Sequence, residues 1–454
     1  MTPSTQPQAI APGAGALPRP AAARAAKARL SATGRLFISV MLIVIFEGAI
    51  RKWVAESSTL PLILLRDLLA AYIVVRAFTH GHFRRHPQLA LFMLAWSCCV
   101  ISWGLLQLML GESNFPILLI GLRFWLLYLW FALAAAVGMS EHDYVAALRI
   151  LLVTLVLMAP LAALQHYSPP GAFVNRSLDV DEEDIFVVIA GVVRTTGTFS
   201  FTSGFTIFVA LCAPFALGAF EARKRKPSHM LAALLVFGGL ITCSLVSGAR
   251  ASVIYIGAMV VLFLLGSLLF APLRRKGWAL LATLFVALLL VVLAYVFQAA
   301  IEATQERFQV AAENEDLLER ITSIFLGEAD TLDKMSWLGS GIGVGSNLAQ
   351  YVQFSARTVF VYGETEAART LLEGGLLGML FVLLKFVVIV AGLFKGLLLS
   401  MKTQAVFPTL VWVAIALALV TWPAIGQLSA NGLLGILLAL GLLSLRYPRL
   451  RLFG

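Results

Sequence analysis

The segment GETEAARTLLEGGLLG, residues 363–378, places charged side chains at the start of a long apolar run. Glu366, Arg369 and Glu373 are spaced three and four residues apart, so on a helix they share one face and can pair with one another. We expect an ion pair of Glu366 at the protein surface to contribute little, so replacing Glu366 should cost little activity. Glu364 lies off that face, where a carboxylate is free to take a proton from a reacting hydroxyl group.

Two further arginines stand where polar segments run into apolar ones. Arg194 opens RTTGTFSFTSG, and Arg250 lies in SLVSGARAS, a hairpin too short to be anything but the start of a helix. A helix N-terminus supplies unpaired N–H donors, and arginine adds a planar fork that matches phosphate. With the hydroxyl groups of Thr198 and Ser247 in support, the pattern predicts a site for a phosphate-bearing ligand. Capping and snorkelling to the membrane surface are the alternative explanation.

Arg66 and Arg123 each lie within an apolar run, about two helical turns from its end. A charge within a membrane segment costs about 2.5 to 3.5 kcal/mol on insertion scales, so each arginine needs a partner or a function. We expect both to contribute to the same anion site. The alternative is a structural ion pair with a nearby acid: Asp67, Glu47 or Glu56.

The composition indicates that membrane helices position these residues. Of the 454 residues, 60% are hydrophobic and only 13% are charged, and the mean hydropathy is +0.90. A soluble protein of this length would carry roughly twice that charged share. Apolar runs long enough to cross a membrane recur along the chain, whereas the alternating pattern of an outer-membrane barrel does not occur. The sequence therefore predicts an all-α polytopic membrane protein.

The apolar runs predict about twelve transmembrane helices. They are expected near residues 36–52, 60–78, 88–110, 115–137, 144–164, 197–220, 229–247, 250–271, 277–299, 370–394, 405–422 and 429–445.

The charge distribution predicts the topology and the domains. Residues 1–35 are basic and read as a disordered cytoplasmic tail, 36–446 form the transmembrane bundle, and 447–454 form a cytoplasmic C-terminal tail. Basic connections then alternate to the cytoplasmic side, as the positive-inside rule requires. The long acidic connections 165–196 and 300–369 fall outside, and we expect the second to be partly helical. Because topology explains the net charge of +10, no nucleic-acid partner is expected.

Several other motifs are assigned no chemistry. GSGIGVGS, residues 339–346, is not preceded by a strand, so it reads as a flexible turn and not as a dinucleotide site. Asp179 and Asp181 fit a solvated acidic loop. Apart from His166, the histidines lie mostly on the cytoplasmic side, so neither a metal site nor a cofactor is expected. The cysteines lie in apolar runs and read as small core residues: Cys98, Cys99, Cys212 and Cys243.

Four segments, in this order and on the outer face, resemble the O-antigen ligase and O-antigen polymerase-like membrane protein family. They are FEGAIRKW at 46–53, RTTGTF at 194–199, SGAR at 247–250, and GETEAARTLLEGGLLG at 363–378 after a large loop. The resemblance implies a bacterial inner-membrane enzyme that transfers a saccharide, without a metal, from an undecaprenyl-pyrophosphate-linked donor to a glycan or lipid-linked glycan acceptor. The product would be O-antigen, capsule or exopolysaccharide, and Arg194 and Arg250 would grip the pyrophosphate.

The chain departs from this family at one position. Ligases of the family carry a histidine shortly before the E-x-G-x-x-G that begins the next helix, and the matching position, nine residues before Glu373, is Glu364. Residues 300–369 contain no histidine. The resemblance thus makes Glu364 the expected catalytic base and leaves the choice between ligase and polymerase open. Other polysaccharide-assembly membrane proteins are further candidate partners.

A transporter or exporter of polysaccharide or lipid-linked glycan is the alternative function. In that case the charged side chains would line a translocation path near the middle of the membrane. The two halves of the sequence show no convincing internal repeat, and the exceptional charges concentrate towards one face. Both observations favour the enzyme.

Overall fold

The computed structural model is helical and describes most of the chain. The residues described are 29–176, 187–188, 192–221, 226–270, 277, 284, 323–324, 327–328, 331–349, 352, 365–450 and 452. The expected cytoplasmic tail before residue 29, most of the loop 300–369 and the expected helix 277–299, apart from residues 277 and 284, lie outside them.

Thirteen helices of eight or more residues are found in the described ranges. They are α1 Ala32–Trp53, α2 Thr59–Thr79, α3 Pro87–Met109, α4 Phe115–Leu122, α5 Tyr128–Gly138, α6 Glu141–Tyr167, α7 Thr202–Gly218, α8 Pro227–Val246, α9 Arg250–Phe270, α10 Glu366–Gly374, α11 Leu376–Thr403, α12 Phe407–Thr421 and α13 Leu428–Arg446. Two short strands, β1 Val187–Val188 and β2 Val192–Val193, pair antiparallel between α6 and α7.

The helices confirm a multi-pass membrane protein. In the described part of the chain, ten helical spans are long and apolar enough to cross a membrane, with α4 and α5 forming one continuous span, Phe115–Gly138. α12 is apolar but shorter. The long helices fall where the hydropathy pattern placed them, because a run of about twenty apolar residues can satisfy its backbone in a membrane only as a helix.

Polar caps define where α1 and α6 begin. The Ser31 hydroxyl accepts a hydrogen bond from the Gly34 N–H, so α1 starts four residues before its expected position. Ser140 and Asp143 form a capping box at the start of α6. The Asp143 carboxylate also accepts the Ser31 N–H at 2.8 Å. One carboxylate therefore links the N-terminal ends of both helices.

Two of the expected helices have different boundaries. The helix expected from residue 197 begins at Thr202, because Gly197 has a left-handed φ of 55° and the preceding chain is extended. The helix expected at 370–394 is divided into α10 and α11 at Gly375, whose φ is 53°. A hydropathy profile cannot show either change, because the residues at both places are apolar enough to be read as part of a membrane helix.

The core lies around α7 and α13. Buried residues make up 89% of the most apolar stretch of α7 and 83% of that of α13, against 22 to 28% for α2, α3, α9 and α11. The second group therefore forms the perimeter that would face lipid. Cys212 and Cys243 are core residues, as expected, whereas Cys98 and Cys99 are exposed on α3, contrary to expectation. All four thiols are free.

Candidate functional site

Residues 194–200 form an irregular segment, with a turn at 197–198, that is largely buried beside α1, and we call it the threonine segment. Gly48 of α1 allows this contact, because a Cβ at that position would lie 2.6 Å from the Thr198 carbonyl oxygen. The Thr198 hydroxyl donates to the Ile45 carbonyl oxygen at 2.6 Å. Thr198, expected to support a ligand, thus uses its proton to hold the threonine segment on α1.

Lys52 and Gln165 hold the middle of the threonine segment. The Lys52 ammonium donates to the Thr196 hydroxyl oxygen at 2.8 Å and to the Gly197 carbonyl oxygen at 2.9 Å. The Gln165 amide accepts from the Gly197 N–H at 2.8 Å and donates to its carbonyl oxygen at 3.1 Å. Lys52 is only 1% exposed. Its hydrogen-bond partners among the described residues are neutral oxygens, so its charge is uncompensated within that part of the chain.

The first residues of the threonine segment lie next to the end of α8. The Thr195 hydroxyl donates to the Val246 carbonyl oxygen at 3.1 Å. The buried His166 ring lies against the backbone of Val193 and Val246, although no hydrogen bond of good geometry joins its nitrogens to the described residues. These contacts bring Arg194 towards the turn between α8 and α9.

Arg250 is the first residue of α9, as the sequence predicts. Ser247 makes the turn before it, donating its hydroxyl proton to the Ser244 carbonyl oxygen and accepting the Ala249 N–H. The buried Ser247 side chain therefore supports Arg250 through the backbone.

Arg194 is half-buried and lies close enough to Arg250 to be affected by its charge. Burial lowers the pKa of Arg194, and the neighbouring Arg250 charge lowers it further. The Arg194 guanidinium nevertheless stays protonated near neutral pH, because the ordinary pKa of arginine is far above it. Arg194 lies eight residues before the start of α7. The prediction that this helix N-terminus supplies N–H donors beside Arg194 is therefore wrong. The α9 N-terminus remains beside Arg250.

Arg66 and Arg123 belong to a separate cluster between α1, α2 and α5. Arg66 Nη1 donates to Glu47 Oε2 at 2.6 Å, and Arg66 Nε lies 3.3 Å from Asp67 Oδ1. Arg123 Nε donates to Asp67 Oδ2 at 2.6 Å. The Tyr128 hydroxyl donates to Asp67 Oδ1 at 3.0 Å. We call these five residues the acid–arginine cluster.

The acid–arginine cluster contains equal numbers of positive and negative charges. Arg66 is fully buried, whereas the Arg123 and Asp67 side chains are 12% and 16% exposed. Arg66 is thus enclosed by protein. Its pairing with Glu47 and Asp67 matches the ion-pair alternative. The anion-binding roles expected of Arg66 and Arg123 stay predictions.

A π-helical turn, Arg123–Leu127, places Arg123 in this cluster. Such turns widen the backbone and often occur at functional sites. The Asn431 side-chain amide of α13 donates to the Phe124 carbonyl oxygen in the turn at 3.0 Å. The sign of this contact in the sequence is a lone asparagine within the apolar run of α13, and it does not identify the partner.

α10 is buried on every side. Glu366 accepts from the Lys385 ammonium of α11 at 2.9 Å and from the Ile425 N–H at 3.1 Å. It is 4% exposed, so the expectation of a replaceable surface residue is wrong. Arg369 lies against Gly426 in the connection between α12 and α13, where a Cβ would collide with its guanidinium. The face shared by these charges is thus an internal one.

Glu373 holds the segment expected to be a flexible turn. Its Oε2 accepts the Gly343 N–H at 2.9 Å and the Trp125 indole N–H at 3.0 Å, and its Oε1 accepts the Gly345 N–H at 2.8 Å. Ile342 is completely buried. Residues 338–346, which we call the glycine loop, are therefore an ordered internal element. Sequence reasoning missed this because the partners are far apart in the chain.

Glu364, the expected catalytic residue, lies outside the described residues. The residue that follows it, Thr365, caps α10 by accepting the Ala368 N–H. The Thr365 N–H donates to a Glu328 carboxylate oxygen at 3.0 Å. Glu364 is thus joined directly to the fixed N-terminus of a buried helix.

Among the described residues, no group of three or more histidine, cysteine, aspartate or glutamate side chains could hold a metal ion. No protein-family model matches the chain, and no curated protein is significantly similar to it. The resemblance to the O-antigen ligase and polymerase-like family therefore depends on the four sequence segments alone.

Proposed function

We propose that the protein is a bacterial inner-membrane glycan polymerase or ligase. It would transfer a saccharide from an undecaprenyl-pyrophosphate-linked donor to a glycan or lipid-linked glycan acceptor on the periplasmic face, in O-antigen, capsule or exopolysaccharide assembly. The reaction would need no metal.

One observation carries the proposal: cations gather beside the threonine segment. Arg194 is half-buried next to Arg250. The buried Lys52 of α1 bonds to Thr196 and Gly197 of the segment, and its partners in the described part of the chain are neutral. Like charges in a partly desolvated site repel one another, and a bound pyrophosphate would relieve that repulsion. We therefore add Lys52 to the anion site that the sequence predicted.

The charge-balanced acid–arginine cluster is less suited to this role. Arg66 and Arg123 are already compensated by Glu47 and Asp67, so an anion would gain little there. We therefore assign the pyrophosphate to Arg194, Arg250 and Lys52.

The proposed chemistry is a displacement at the anomeric carbon of the donor sugar. The acceptor oxygen forms a bond to that carbon while the bond from the carbon to the pyrophosphate oxygen breaks. Negative charge develops on the departing pyrophosphate, where arginine and lysine stabilise it. The acceptor proton passes to a base, for which we propose Glu364.

A purified-protein assay with a lipid-pyrophosphate glycan tests the proposal. Release of lipid pyrophosphate, equal with and without a chelator, is the expected result. Release that stops with chelator would contradict the metal-independent mechanism. An exporter, the alternative function, would instead move the lipid-linked glycan across reconstituted vesicles and leave it intact.

A further inference from the structure

Glu373 occupies an unusual position for a buried carboxylate. It lies in the last turn of α10, where the partial negative charge of the helix end disfavours an acid. It is completely buried. The N–H groups of Gly343, Gly345 and Trp125 offset this cost by donating to its oxygens. A helix stop needs no such group, because Gly375 already ends α10.

The glycine loop and the end of α10 are joined through the backbone as well. The Ser340 N–H donates to the Leu372 carbonyl oxygen at 2.8 Å, and the Gly341 N–H donates to the Glu373 carbonyl oxygen at 3.2 Å. Gly341 and Gly343 have left-handed φ values of 111° and 95°. These conformations turn successive N–H groups inward, which makes a concavity suited to an anion. The anion in this concavity is the Glu373 carboxylate.

A glutamine on α3 braces the same loop from the opposite side. Gln107 Nε2 donates to the Leu338 and Glu373 carbonyl oxygens at 2.7 and 2.9 Å. Gln107 Oε1 accepts the Ile342 N–H at 2.9 Å. The loop is therefore connected to α3, to α10 and, through Glu373, to the π-helical turn by polar contacts that depend on one carboxylate and one amide.

We propose that Glu373 is a positioning residue: its carboxylate latches the glycine loop onto α10 and thereby fixes the helix that begins two residues after Glu364. The functional half of this inference depends on the proposed glycosyl transfer. The latch itself does not. Neither the resemblance nor the sequence pattern assigns this role to Glu373.

The charge of Glu373 makes the latch sensitive to pH. Burial raises the pKa of Glu373 to about 7, although the three N–H donors oppose it and the nearby Glu366 charge adds to it. Ionisation therefore costs more in the latched state than in a released state with an ordinary carboxyl pKa. The equilibrium therefore shifts towards release as the pH rises from the ordinary carboxyl pKa of 4.5 to about 7, and it is constant above 7, where the carboxyl is ionised in both states.

The other charged groups near the latch have their own partners or contacts. On α10, Glu366 is bonded to Lys385 of α11, and Arg369 lies against Gly426. The side chains that contact Glu373 from α3 and the π-helical turn, Gln107 and Trp125, are neutral. Glu112, after α3, is exposed. We therefore expect the protonation state of Glu373 to control whether the glycine loop is latched or released.

Labelling of Ser346→Cys with a maleimide tests the latch directly, in a full-length background lacking the four native cysteines. Ser346 lies in the loop and is completely buried. With Glu373 intact we expect protection at pH 6, whereas Glu373→Ala should label at least tenfold faster. Glu112→Gln is the matched control and should label like the parent. Rates are divided by those of the same protein unfolded at the same pH, which removes the thiol's own titration.

The pH series distinguishes a latch from general loosening. The corrected labelling rate of the parent should rise between about pH 5 and pH 7 and level off above pH 7, and Glu373→Gln, which cannot ionise, should show no rise. A flat profile in the parent, or an equal rise in Glu373→Gln, overturns the latch. Neither reading needs the Ala variant to fold.

An activity measurement tests the positioning role. Glu373→Gln should lower kcat at least tenfold and change KM for the lipid-linked donor less than threefold, because the anion-binding residues lie on other elements. A KM increase equal to the kcat loss, or normal kcat with a released loop, overturns positioning. If the parent releases no lipid pyrophosphate, the proposed function fails while the labelling result still decides the latch.

Discussion

Arg66 and Arg123 share the membrane-spanning part of the bundle with Glu47 and Asp67, so their charges cancel. Removing one partner of a buried pair strands the other charge and costs about 3 to 5 kcal/mol. Asp67 contacts both guanidinium groups and the Tyr128 hydroxyl. It is therefore the residue on which the cluster depends most.

We predict that Asp67→Asn lowers the thermal midpoint and the yield of folded protein in detergent. Asn keeps the shape but removes the charge that both arginines need. Glu112→Gln, at an exposed acid, should leave the midpoint unchanged. An Asp67→Asn protein as stable as the parent would mean that the arginines have another source of compensation.

At the anion site we predict loss of activity with normal folding. Arg194→Lys and Arg250→Lys keep the charge but lose the bidentate fork, so lipid-pyrophosphate release should fall strongly while expression stays normal. Arg84→Lys, at an exposed arginine outside the site, is the control. Full activity in both site variants would contradict the anion site, and loss of folded protein would support a structural role instead.

For the proposed base we predict a loss of roughly a hundredfold or more in Glu364→Gln, the usual range for a general base. Donor binding should persist, because the anion site is unchanged. The measurement is the rate of lipid-pyrophosphate release across pH. The control is Glu112→Gln, at an exposed acid. Glu366 is unsuitable as a control because it is buried and paired with Lys385. An unchanged pH profile in Glu364→Gln would remove Glu364 from the mechanism.

At the scale of elements, α10 and α11 form a tight helical hairpin. Gly378 has no side chain, which lets the Thr370 carbonyl of α10 approach α11. The hairpin places Glu366 beside Lys385, nine residues after the start of α11 at Leu376. α10 therefore packs along the N-terminal part of α11.

We predict strong coupling between Glu366 and Lys385. Glu366→Gln and Lys385→Met should each destabilise the protein by about 3 kcal/mol, because each strands a buried charge. The double variant should cost clearly less than the sum, since it strands none. Thermal unfolding of the four proteins in one detergent measures this. Additive losses would show that the pair is not an energetic unit.

Sequence reasoning succeeded where a single physical cause acts over many residues. An apolar run such as that of α13 has one outcome in a membrane, so helix existence followed from hydropathy. The breaks at Gly197 and Gly375 depend on one backbone conformation each. Glycine permits that conformation without requiring it. Element boundaries at such positions therefore need the surrounding contacts.

The candidate site was predictable to a lesser degree. The charge pattern gave Arg194 and Arg250, since each is an exception to the positive-inside rule. The roles of Lys52, Gln107 and Glu373 depend on partners more than a hundred residues away for the first two and on loop conformation for the third. No local spacing encodes such contacts, so the sequence left them out.

At the scale of the whole molecule, the topology stays a prediction. With both termini cytoplasmic and the connections 165–196 and 300–369 periplasmic, Ser177→Cys and Asn314→Cys should label from outside in cells with a permeabilised outer membrane. His80→Cys, at a basic connection, should label only after inner-membrane lysis. The opposite pattern would place the anion site in the cytoplasm.

The length of α11 has a consequence for the surrounding lipid. Its exposed apolar residues extend from Leu376 to Met401, a distance of about 37 Å at the rise of an α-helix. The hydrocarbon core is about 30 Å thick. α11 therefore tilts, thickens the bilayer around it, or places the exposed Lys395 side chain at the headgroup level. Because α10 is fastened to α11, the tilt would be transmitted to the helix that follows Glu364, and turnover should depend on the acyl-chain length of the lipids into which the protein is reconstituted.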